Sequence, residues 1–421
     1  MKKVLFVTYF WAPSGKATVH WPLHIIKYLP DYNWQPLVLA AEEDMFSSTD
    51  KSLLKDVNPG LTVVRTKSWD PFNLYRKFIG KKKDESITAS ETISQTNKSI
   101  THRVSIWIRM NLFVPDARAG WYFPGTKSGN KLLREEKIDA IVSVGPPHTG
   151  HLIAKKLSKK FSIPHIPVFI DPWVDIVYYK NFKRSRPTLA LDNYFEKSVL
   201  KNAASVVFVT ATMRNDYVRK YDFLKNKSHV LYWGFNENNF ADLPAVGSSG
   251  NEVIVHAGNI FDYQNIPAFW KRIKLEINKG RNFKIKFIGT VSPGIKLAIK
   301  NAALESDTEY LGFLPYKDML HELQQASYLL VCATEKRHVP GKLFEYLRIG
   351  KPIIAFGDDN QEVGQIIKES GAGMIFKYNQ DAGEFFEKSL SFKTNLDIIK
   401  KYDRKEIAKG LSNILSEAIV A

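Results

Sequence analysis

Short apolar runs alternate with amphipathic stretches along the first half of this chain, and that alternation limits the fold it can adopt. The apolar runs have the length of strands, and the segments between them have helical periodicity. This pattern is typical of an α/β domain whose parallel sheet carries helices on both faces. We therefore predict a doubly wound domain over residues 1–240. The apolar runs lie at 3–8, 36–40, 61–65, 139–144, 165–170 and 205–209, and the amphipathic stretches at 18–29, 124–136, 148–161 and 188–202.

The same pattern begins again after a polar linker. Residues 241–250 are mostly small and polar, and an apolar run starts at Glu252. A chain of 421 residues also exceeds what one hydrophobic core usually serves. We predict a second doubly wound (Rossmann-like) domain over 252–403. Its further strands are expected at 283–288, 328–332, 352–356 and 373–376.

The composition excludes some classes of protein and favours others. The single cysteine, Cys332, excludes an intramolecular disulfide and a thiolate zinc cluster. The N-terminus is too short and polar for a signal peptide, and no apolar run reaches about 18 residues, so we expect a cytoplasmic protein. The net charge of +17 favours an acidic partner, either a phosphorylated substrate or anionic lipid, with a merely solvated basic surface as the alternative. Nucleic acid ranks low because no zinc-finger or RNP-like motif occurs.

Two neighbouring segments depart from the strand and helix pattern. Residues 81–101 begin with three lysines, continue with many serines and threonines, and are predicted to form a mobile loop. Residues 104–113 fit a strand and a helix with a wide apolar face equally well. Together with Lys81, Lys82 and Lys83 they are a candidate for peripheral contact with the inner face of an anionic membrane. The alternative is a buried element behind a solvated loop.

Residues 340–352 predict one short helix with an anion site at its N-terminus. Pro340 suits the first helical position, and Gly341 leaves the first backbone N–H groups open to a ligand. Phosphates bind at such helix ends. A cation, a carboxylate and an aromatic ring share one face, which suits a nucleotide: the cation for a phosphate and the carboxylate for ribose hydroxyls. A capped surface helix is the alternative. The three residues on that face are Lys342, Glu345 and Tyr346.

This helix resembles the nucleotide-binding helix of GT-B-fold, family-4-type retaining glycosyltransferases, and other motifs follow in that family's order. The resemblance spans about residues 10 to 376. It implies two Rossmann-like domains that face a central cleft, and a C-terminal segment, 404–421, that crosses back to the first domain. It also implies transfer of a sugar from a UDP- or GDP-linked donor to an acceptor hydroxyl without a metal ion. The other motifs are Thr8–Gly15, Trp21–Leu23, Lys27–Pro30, Pro115–Trp121, Ser143–Leu152, Asp171–Trp173 and Trp233–Asn236.

The resemblance assigns roles to individual residues, and each has a structural alternative. Gly15 and Gly258 would allow close approach of the donor, and both also suit ordinary turns. His148 would contact the transferring sugar, although a single histidine is more often structural; His151 is expected to pack. Asp116 and Arg118 would bind the acceptor or pair with each other, and Asp171 would bind it or cap a helix. The full donor set is Gly15, Gly258, Asn259, Arg337, Pro340, Gly341, Lys342, Leu343 and Glu345; the acceptor set is Asp116, Arg118, His148 and Asp171; the catalytic pair is His148 and Glu345.

The chain departs from the family pattern at two points. Many relatives carry a glutamate seven residues before the one that matches Glu345, and here that position is Arg337, with Glu335 two residues too early. Residues 260–264 also lack the cation that often follows the first glycine loop of the second domain. The acceptor is expected to be a glycan or a lipid-linked molecule of cell-envelope polysaccharide or glycolipid synthesis. The alternatives are a nucleotide-sugar epimerase and a non-catalytic binding protein of the same architecture.

Overall fold

The computed structural model describes residues 1–69, 106–108, 110–176, 184–241, 243 and 250–420. The predicted loop 81–101, its three lysines and most of the linker 241–250 lie outside these residues. Within the described ranges, every helix is too short or too polar to cross a lipid bilayer. Contacts between residues divide the chain into two compact units, each built on its own parallel sheet.

The first unit contains a seven-stranded parallel sheet. Its strand order is β3-β2-β1-β4-β5-β6-β7. The chain adds strands to one side of β1 as far as β3, and then adds β4 to β7 on the other side. β1 and β4 are buried almost throughout, because helices cover both faces of the sheet. The strands are β1 (Lys2–Thr8), β2 (Trp34–Ala41), β3 (Thr62–Thr66), β4 (Ala140–Gly145), β5 (His165–Phe169), β6 (Val206–Phe208) and β7 (Ser228–Val230).

The helices of the first unit follow the predicted positions closely. Each predicted amphipathic stretch forms a helix whose ends differ from the prediction by a few residues. Residues 106–108 and 110–112 are also helical, which settles the choice between strand and helix that the sequence left open. The helices are α1 (His20–Tyr28), α2 (Tyr122–Glu135), α3 (Thr149–Phe161), α4 (Arg186–Asn202) and α5 (Ala211–Lys220).

The second unit contains a six-stranded parallel sheet in the order β10-β9-β8-β11-β12-β13. Two apolar clusters, one on each face, pack against it. The prediction of two doubly wound sheets is confirmed. The strands are β8 (Glu252–Ala257), β9 (Phe283–Ile288), β10 (Thr308–Gly312), β11 (Tyr328–Cys332), β12 (Ile353–Phe356) and β13 (Gly373–Phe376). The helices are α6 (Pro267–Asn278), α7 (Pro293–Asn301), α8 (Tyr316–Gln325), α9 (Lys342–Ile349), α10 (Gln361–Glu369), α11 (Gly383–Lys388), α12 (Leu396–Ile399) and α13 (Arg404–Ala418).

Two segments belong to a different unit from the residues that precede them in the sequence. Residues 232–240 group with the second sheet, where Phe235 and Phe240 belong to one of its apolar clusters. Residues 408–421, which include most of α13, group with the first sheet, whereas Arg404 groups with the second. The helix α13 therefore has residues in both units.

Candidate functional site

The carboxyl ends of three neighbouring strands bring the predicted donor residues together in the second unit. Gly258 follows β8, Gly289 follows β9, and the segment 333–341 joins β11 to α9. These strands are adjacent in the order β9-β8-β11. In doubly wound sheets, ligands bind at this edge.

The helix α9 differs from its prediction in its start and in its burial. It begins at Lys342, so Pro340 lies before the helix and not at its first position, as the sequence had predicted. Two residues of the predicted polar face, Glu345 and Tyr346, are buried together with the apolar residues Leu343, Phe344 and Leu347. Glu345 and Tyr346 are buried with polar partners, Arg404 for the carboxylate and the Ala257 N–H for the hydroxyl group.

The ammonium group of Lys342 lies beside Gly258, which follows β8. Its Nζ lies 3.0 Å from Nε2 of His256, at the end of β8. A Cβ atom at Gly258 would lie 3.1 Å from the same Nζ, so the bare glycine leaves room for the lysine. Burial lowers the pKa of Lys342 to about 8 and lowers the pKa of His256 well below its usual value. The neutral imidazole therefore accepts a hydrogen bond from the ammonium group.

Two glycines with positive φ shape the backbone beside Lys342. Gly258 has a φ of 96° and Gly289 a φ of 110°. A Cβ at Gly289 would lie 2.8 Å from the carbonyl carbon of Gly258, a distance that no side chain permits. The Asn259 side chain accepts a hydrogen bond of 3.0 Å from the Thr290 N–H, which joins the two loops. Sequence reasoning missed Gly289, although a glycine directly after a predicted strand is the same signal that identified Gly258.

The segment before α9 is held in place by a side chain from the start of α10. Asn360 donates hydrogen bonds of 2.8 Å to the carbonyl oxygens of Glu335 and His338. The Glu335 carboxylate accepts from the Arg337 N–H at 2.9 Å. Arg337, which replaces the expected glutamate, therefore lies in a loop whose backbone is held by Asn360 and Glu335.

The packing of the second unit requires a residue without a side chain at position 341, which the sequence did not suggest. A Cβ at this position would lie 3.0 Å from Cδ1 of Trp233, so the indole ring packs directly on the glycine. Tyr346 is also structural, because its hydroxyl oxygen accepts the Ala257 N–H at 2.7 Å and ties α9 to the end of β8. Leu343 and Pro340 are both buried. Cys332, at the end of β11, is buried as well, and burial raises the pKa of its thiol to about 12.

Glu345 forms a buried ion pair that the sequence did not reveal. The nearest nitrogen of Arg404 lies 3.7 Å from its carboxylate, and both side chains are about nine-tenths buried. The Tyr316 hydroxyl donates to the same carboxylate at 3.4 Å. Burial raises the pKa of Glu345, and the charge of Arg404 opposes that rise. No local pattern connects Glu345 with Arg404, because the two residues are 59 positions apart.

In the first unit, Asp116 lies next to the helix that follows His148. Its carboxylate accepts hydrogen bonds from the Thr149 N–H at 2.8 Å and from the Thr149 hydroxyl at 3.0 Å, and so caps α3. It also accepts the Arg118 N–H at 2.8 Å. Burial raises the pKa of Asp116. The guanidinium carbon of Arg118 lies 5.2 Å from the centre of the Tyr9 ring.

The His148 ring is enclosed by aromatic side chains. It is 4% exposed, and it stacks on Trp173 at 4.7 Å with an angle of 5° between the ring planes. Neither ring nitrogen makes a hydrogen bond of ordinary length and angle with a described residue, although the backbone of Pro172 lies near enough to act on the ring. Burial lowers the pKa of His148 to about 3, and the backbone of Pro172 opposes this shift. His148 is therefore neutral at physiological pH.

The remaining candidates of the first unit lie at the same edge of its sheet. Gly15 follows β1; its N–H donates to the Ser48 carbonyl at 2.9 Å, and a Cβ here would lie 3.2 Å from the Ser48 hydroxyl. Asp171 follows β5 and is partly buried. His151 packs as expected: its Nδ1 lies 2.7 Å from the Ser143 hydroxyl, which lies 2.7 Å from Nε2 of His165.

Two family models match the chain, one over each half. The model for glycosyl transferases group 1 matches residues 241–412, and the model for glycosyltransferase family 4 matches residues 89–239. The chain belongs to the group 1, family-4-type glycosyltransferases. The stretch matched by the group 1 model contains Gly258, Lys342, Glu345 and Arg404. No curated protein matches the chain.

Solved structures show the GT-B fold for this glycosyltransferase. A glycosyltransferase from Rickettsia africae is 12% identical, with a TM-score of 0.64 over 99% of this chain and 98% of that one. Anabaena HepE in complex with UDP is 11% identical, with a TM-score of 0.61 over 99% of this chain and all of the other. The UDP-GlcNAc 2-epimerase from Methanocaldococcus jannaschii is 15% identical, with a TM-score of 0.56 over 99% and 100% of the two chains. At these identities the likeness establishes the fold alone.

Proposed function

We propose that this glycosyltransferase transfers a sugar from a UDP-linked donor to the hydroxyl group of a glycan or lipid-linked acceptor, with retention of configuration. The observation that carries the proposal is the Lys342 ammonium group, which is mostly buried, contacts His256 and lies beside the bare backbone of Gly258. A leaving diphosphate gains negative charge as the glycosidic bond breaks, and a preplaced cation stabilises that charge. Anabaena HepE, which shares the fold, was crystallised with UDP and with UDP-glucose, and this supports uridine as the base.

The neighbouring residues have complementary roles in this proposal. Glu345 accepts hydrogen bonds from ribose hydroxyls, and the charge of Arg404 opposes the rise in its pKa that burial causes. Arg337, in the loop fastened by Asn360, supplies a second cation near the donor in place of the missing glutamate. His148 binds a hydroxyl of the transferred sugar as a neutral imidazole. In front-face attack the leaving phosphate oxygen accepts the proton of the acceptor hydroxyl, so the residues need not supply a general base.

The screen that tests the proposal combines binding with product analysis. Thermal unfolding is followed with UDP, GDP, CDP and dTDP and with the corresponding sugar nucleotides, because a ligand that binds the folded state raises its apparent stability. UDP-glucose is then incubated with glycan and lipid-linked acceptors, and the anomeric configuration of the product is read by NMR. We expect stabilisation by the UDP series and an α-linked product from the α-linked donor. Stabilisation by another base alone, or an inverted product, would overturn the corresponding part of the proposal.

The second candidate function is epimerisation of a nucleotide sugar. The structural likeness to UDP-GlcNAc 2-epimerases favours it, although both family models describe glycosyltransferases. An epimerase would change UDP-GlcNAc into its C2 epimer without any acceptor. NMR of UDP-GlcNAc incubated with the protein alone therefore separates the two activities.

We expect UDP binding to weaken as the pH rises through the pKa of Lys342. The pKa of about 8 means that the ammonium group is mostly charged at pH 7 and mostly neutral at pH 9. Because only the charged form attracts the diphosphate, the affinity should fall about tenfold between these two values. Titration calorimetry with UDP measures the change. A Lys342→Arg variant keeps its charge throughout and should give a flat profile, and a wild-type profile that is equally flat would contradict the assignment.

A further inference from the structure

In the motif Asp171-Pro172-Trp173, the contacts of Trp173 explain the orientation of the His148 ring. A histidine in a functional site is usually oriented by a hydrogen bond to one of its ring nitrogens. His148 makes no hydrogen bond of ordinary length and angle with a described residue, and only the backbone of Pro172 lies near its ring nitrogens, so its ring plane depends chiefly on packing. The closest parallel surface is the indole ring of Trp173, at 4.7 Å and 5°. Phe169 and His151 contact the ring at larger distances and angles.

Trp173 is itself held by hydrogen bonds on several sides. Its indole N–H donates to Oδ1 of Asp192 at 2.7 Å, and its backbone N–H donates to the hydroxyl oxygen of Tyr217 at 2.9 Å. The next backbone N–H, of Val174, donates to the Glu196 carboxylate at 3.2 Å. The Tyr217 hydroxyl donates to the same carboxylate at 2.8 Å. The side chain and the backbone of Trp173 are thus both fixed.

The two carboxylates lie one turn apart on the buried face of α4. Asp192 is 1% exposed and Glu196 is fully buried. Buried carboxylates are costly unless they are paired, and here Arg184 binds Asp192 while Lys220, 2.8 Å away, binds Glu196. Apolar residues would fill the same space at no such cost.

The hydrogen bonds of this network converge on the segment after β5. Tyr221 also donates to Glu196, at 2.9 Å, so that carboxylate is saturated with donors. A buried network of hydrogen bonds favours one arrangement of the groups it contacts. The arrangement that it specifies here is that of the Trp173 indole ring, on which His148 stacks.

We propose that Trp173 is a positioning residue for His148, and that Asp192 and Glu196 hold Trp173 in the orientation that this requires. Trp173 does not touch the substrate in this proposal. It presents a flat surface that fixes the imidazole plane, so that one ring nitrogen meets the hydroxyl of the transferred sugar. This role rests on the proposed function of His148.

Three variants separate the stack from the hydrogen bond that supports it. Trp173→Leu removes the flat ring, whereas Trp173→Phe keeps a flat ring and loses only the bond to Asp192. Trp121→Phe is the matched control, because Trp121 is also buried in the first unit and donates its indole N–H to Thr66 at 2.7 Å, yet it has no ring contact with His148. Each variant is compared with wild type by thermal unfolding, so that a loss of folding is recognised.

The first readout is the imidazole of His148, observed by NMR of the full chain labelled with ¹⁵N-histidine and assigned with His148→Ala. In the wild type we expect a single neutral ring that does not titrate between pH 5.5 and 8. In Trp173→Leu we expect the pKa to rise toward the ordinary value near 6.5 as the ring becomes mobile. Trp173→Phe should lie between the two, and Trp121→Phe should match the wild type. An unchanged His148 signal in folded Trp173→Leu would overturn the proposal. This readout needs no turnover, so it remains decisive if the proposed function fails.

The second readout is consumption of UDP-glucose. We expect Trp173→Leu to lower kcat at least tenfold with the Kd for UDP unchanged. The double variant Trp173→Leu/His148→Ala should be no slower than His148→Ala alone, because Trp173 acts only through His148. Additive losses in the double variant would show that Trp173 acts in another way. If the wild type consumes no UDP-glucose, the proposed activity on that donor fails while the NMR result still decides the positioning role.

Discussion

The variant Lys342→Met should bind UDP about 10- to 100-fold more weakly than the wild type while folding at least as stably. The loss of affinity follows from removal of a charge-assisted contact to the diphosphate, which is worth about 1.5–3 kcal/mol. The unchanged or higher stability follows from removal of a buried charge. Because burial holds the pKa of Lys342 at about 8, below that of an unfolded lysine, the folded state carries the cost of its charge fully at pH 7 and loses that cost as the pH rises above about 8. Methionine removes this cost at every pH.

Calorimetric titration with UDP and thermal unfolding without it measure the two effects at pH 7. Lys351→Met is the matched control, since Lys351 lies just beyond the other end of α9 and its exchange should leave UDP binding unchanged. If Lys342→Met binds UDP as the wild type does, Lys342 is not part of the donor site. A lower melting temperature together with weaker binding would indicate a structural role instead.

The variant Glu345→Gln should destabilise the second unit by on the order of 3 kcal/mol, because it leaves the buried Arg404 without a counter-charge. Glu237→Gln is the control: Glu237 pairs with Arg348 of α9, but this pair is more exposed and should contribute about 1 kcal/mol or less. The double variant Glu345→Gln/Arg404→Met should recover much of the loss, because it removes both charges. Urea unfolding of the four proteins measures these differences. Equal effects at Glu345 and Glu237 would contradict the buried-pair interpretation.

The same variant also tests the proposed contact with ribose. Glu345→Gln should weaken binding of UDP but leave binding of inorganic pyrophosphate unchanged, since pyrophosphate has no ribose. Titration of both ligands near pH 7, at a temperature where the variant is folded, gives the comparison. Equal losses for the two ligands would assign Glu345 to the phosphate region.

The fold was predictable because strands buried on both faces must be apolar throughout. Each sheet is missing one strand in the sequence-based prediction, β7 and β10, and both lie at a sheet edge. β10 has no buried residue, so Thr308–Gly312 contains no apolar run that would mark it as a strand. Edge strands are defined by pairing with a neighbour, and that pairing leaves little trace in local composition.

The candidate site was predictable where a local motif carries the chemistry. Lys342 and Gly258 were identified separately, from a helix start and a strand end, and the structure places the lysine ammonium group beside the glycine. The partners of Glu345 and Trp173 were not predictable, because Arg404 and Asp192 lie in other helices and contact them only in the folded chain. Gly341 has a second role that the sequence did not suggest, because the Trp233 ring packs where a side chain would stand, a contact that only the tertiary structure reveals.

The single thiol of Cys332 can report local unfolding of the second unit through its rate of alkylation. It is buried at the end of β11, beside the segment that leads to Lys342, and its pKa of about 12 leaves almost no thiolate at neutral pH. An alkylating reagent can therefore modify it only when the second unit transiently opens. Since no other cysteine competes, the rate of alkylation reports how often that happens, without any engineered label. A bound donor that holds the strand ends together would slow the same reaction.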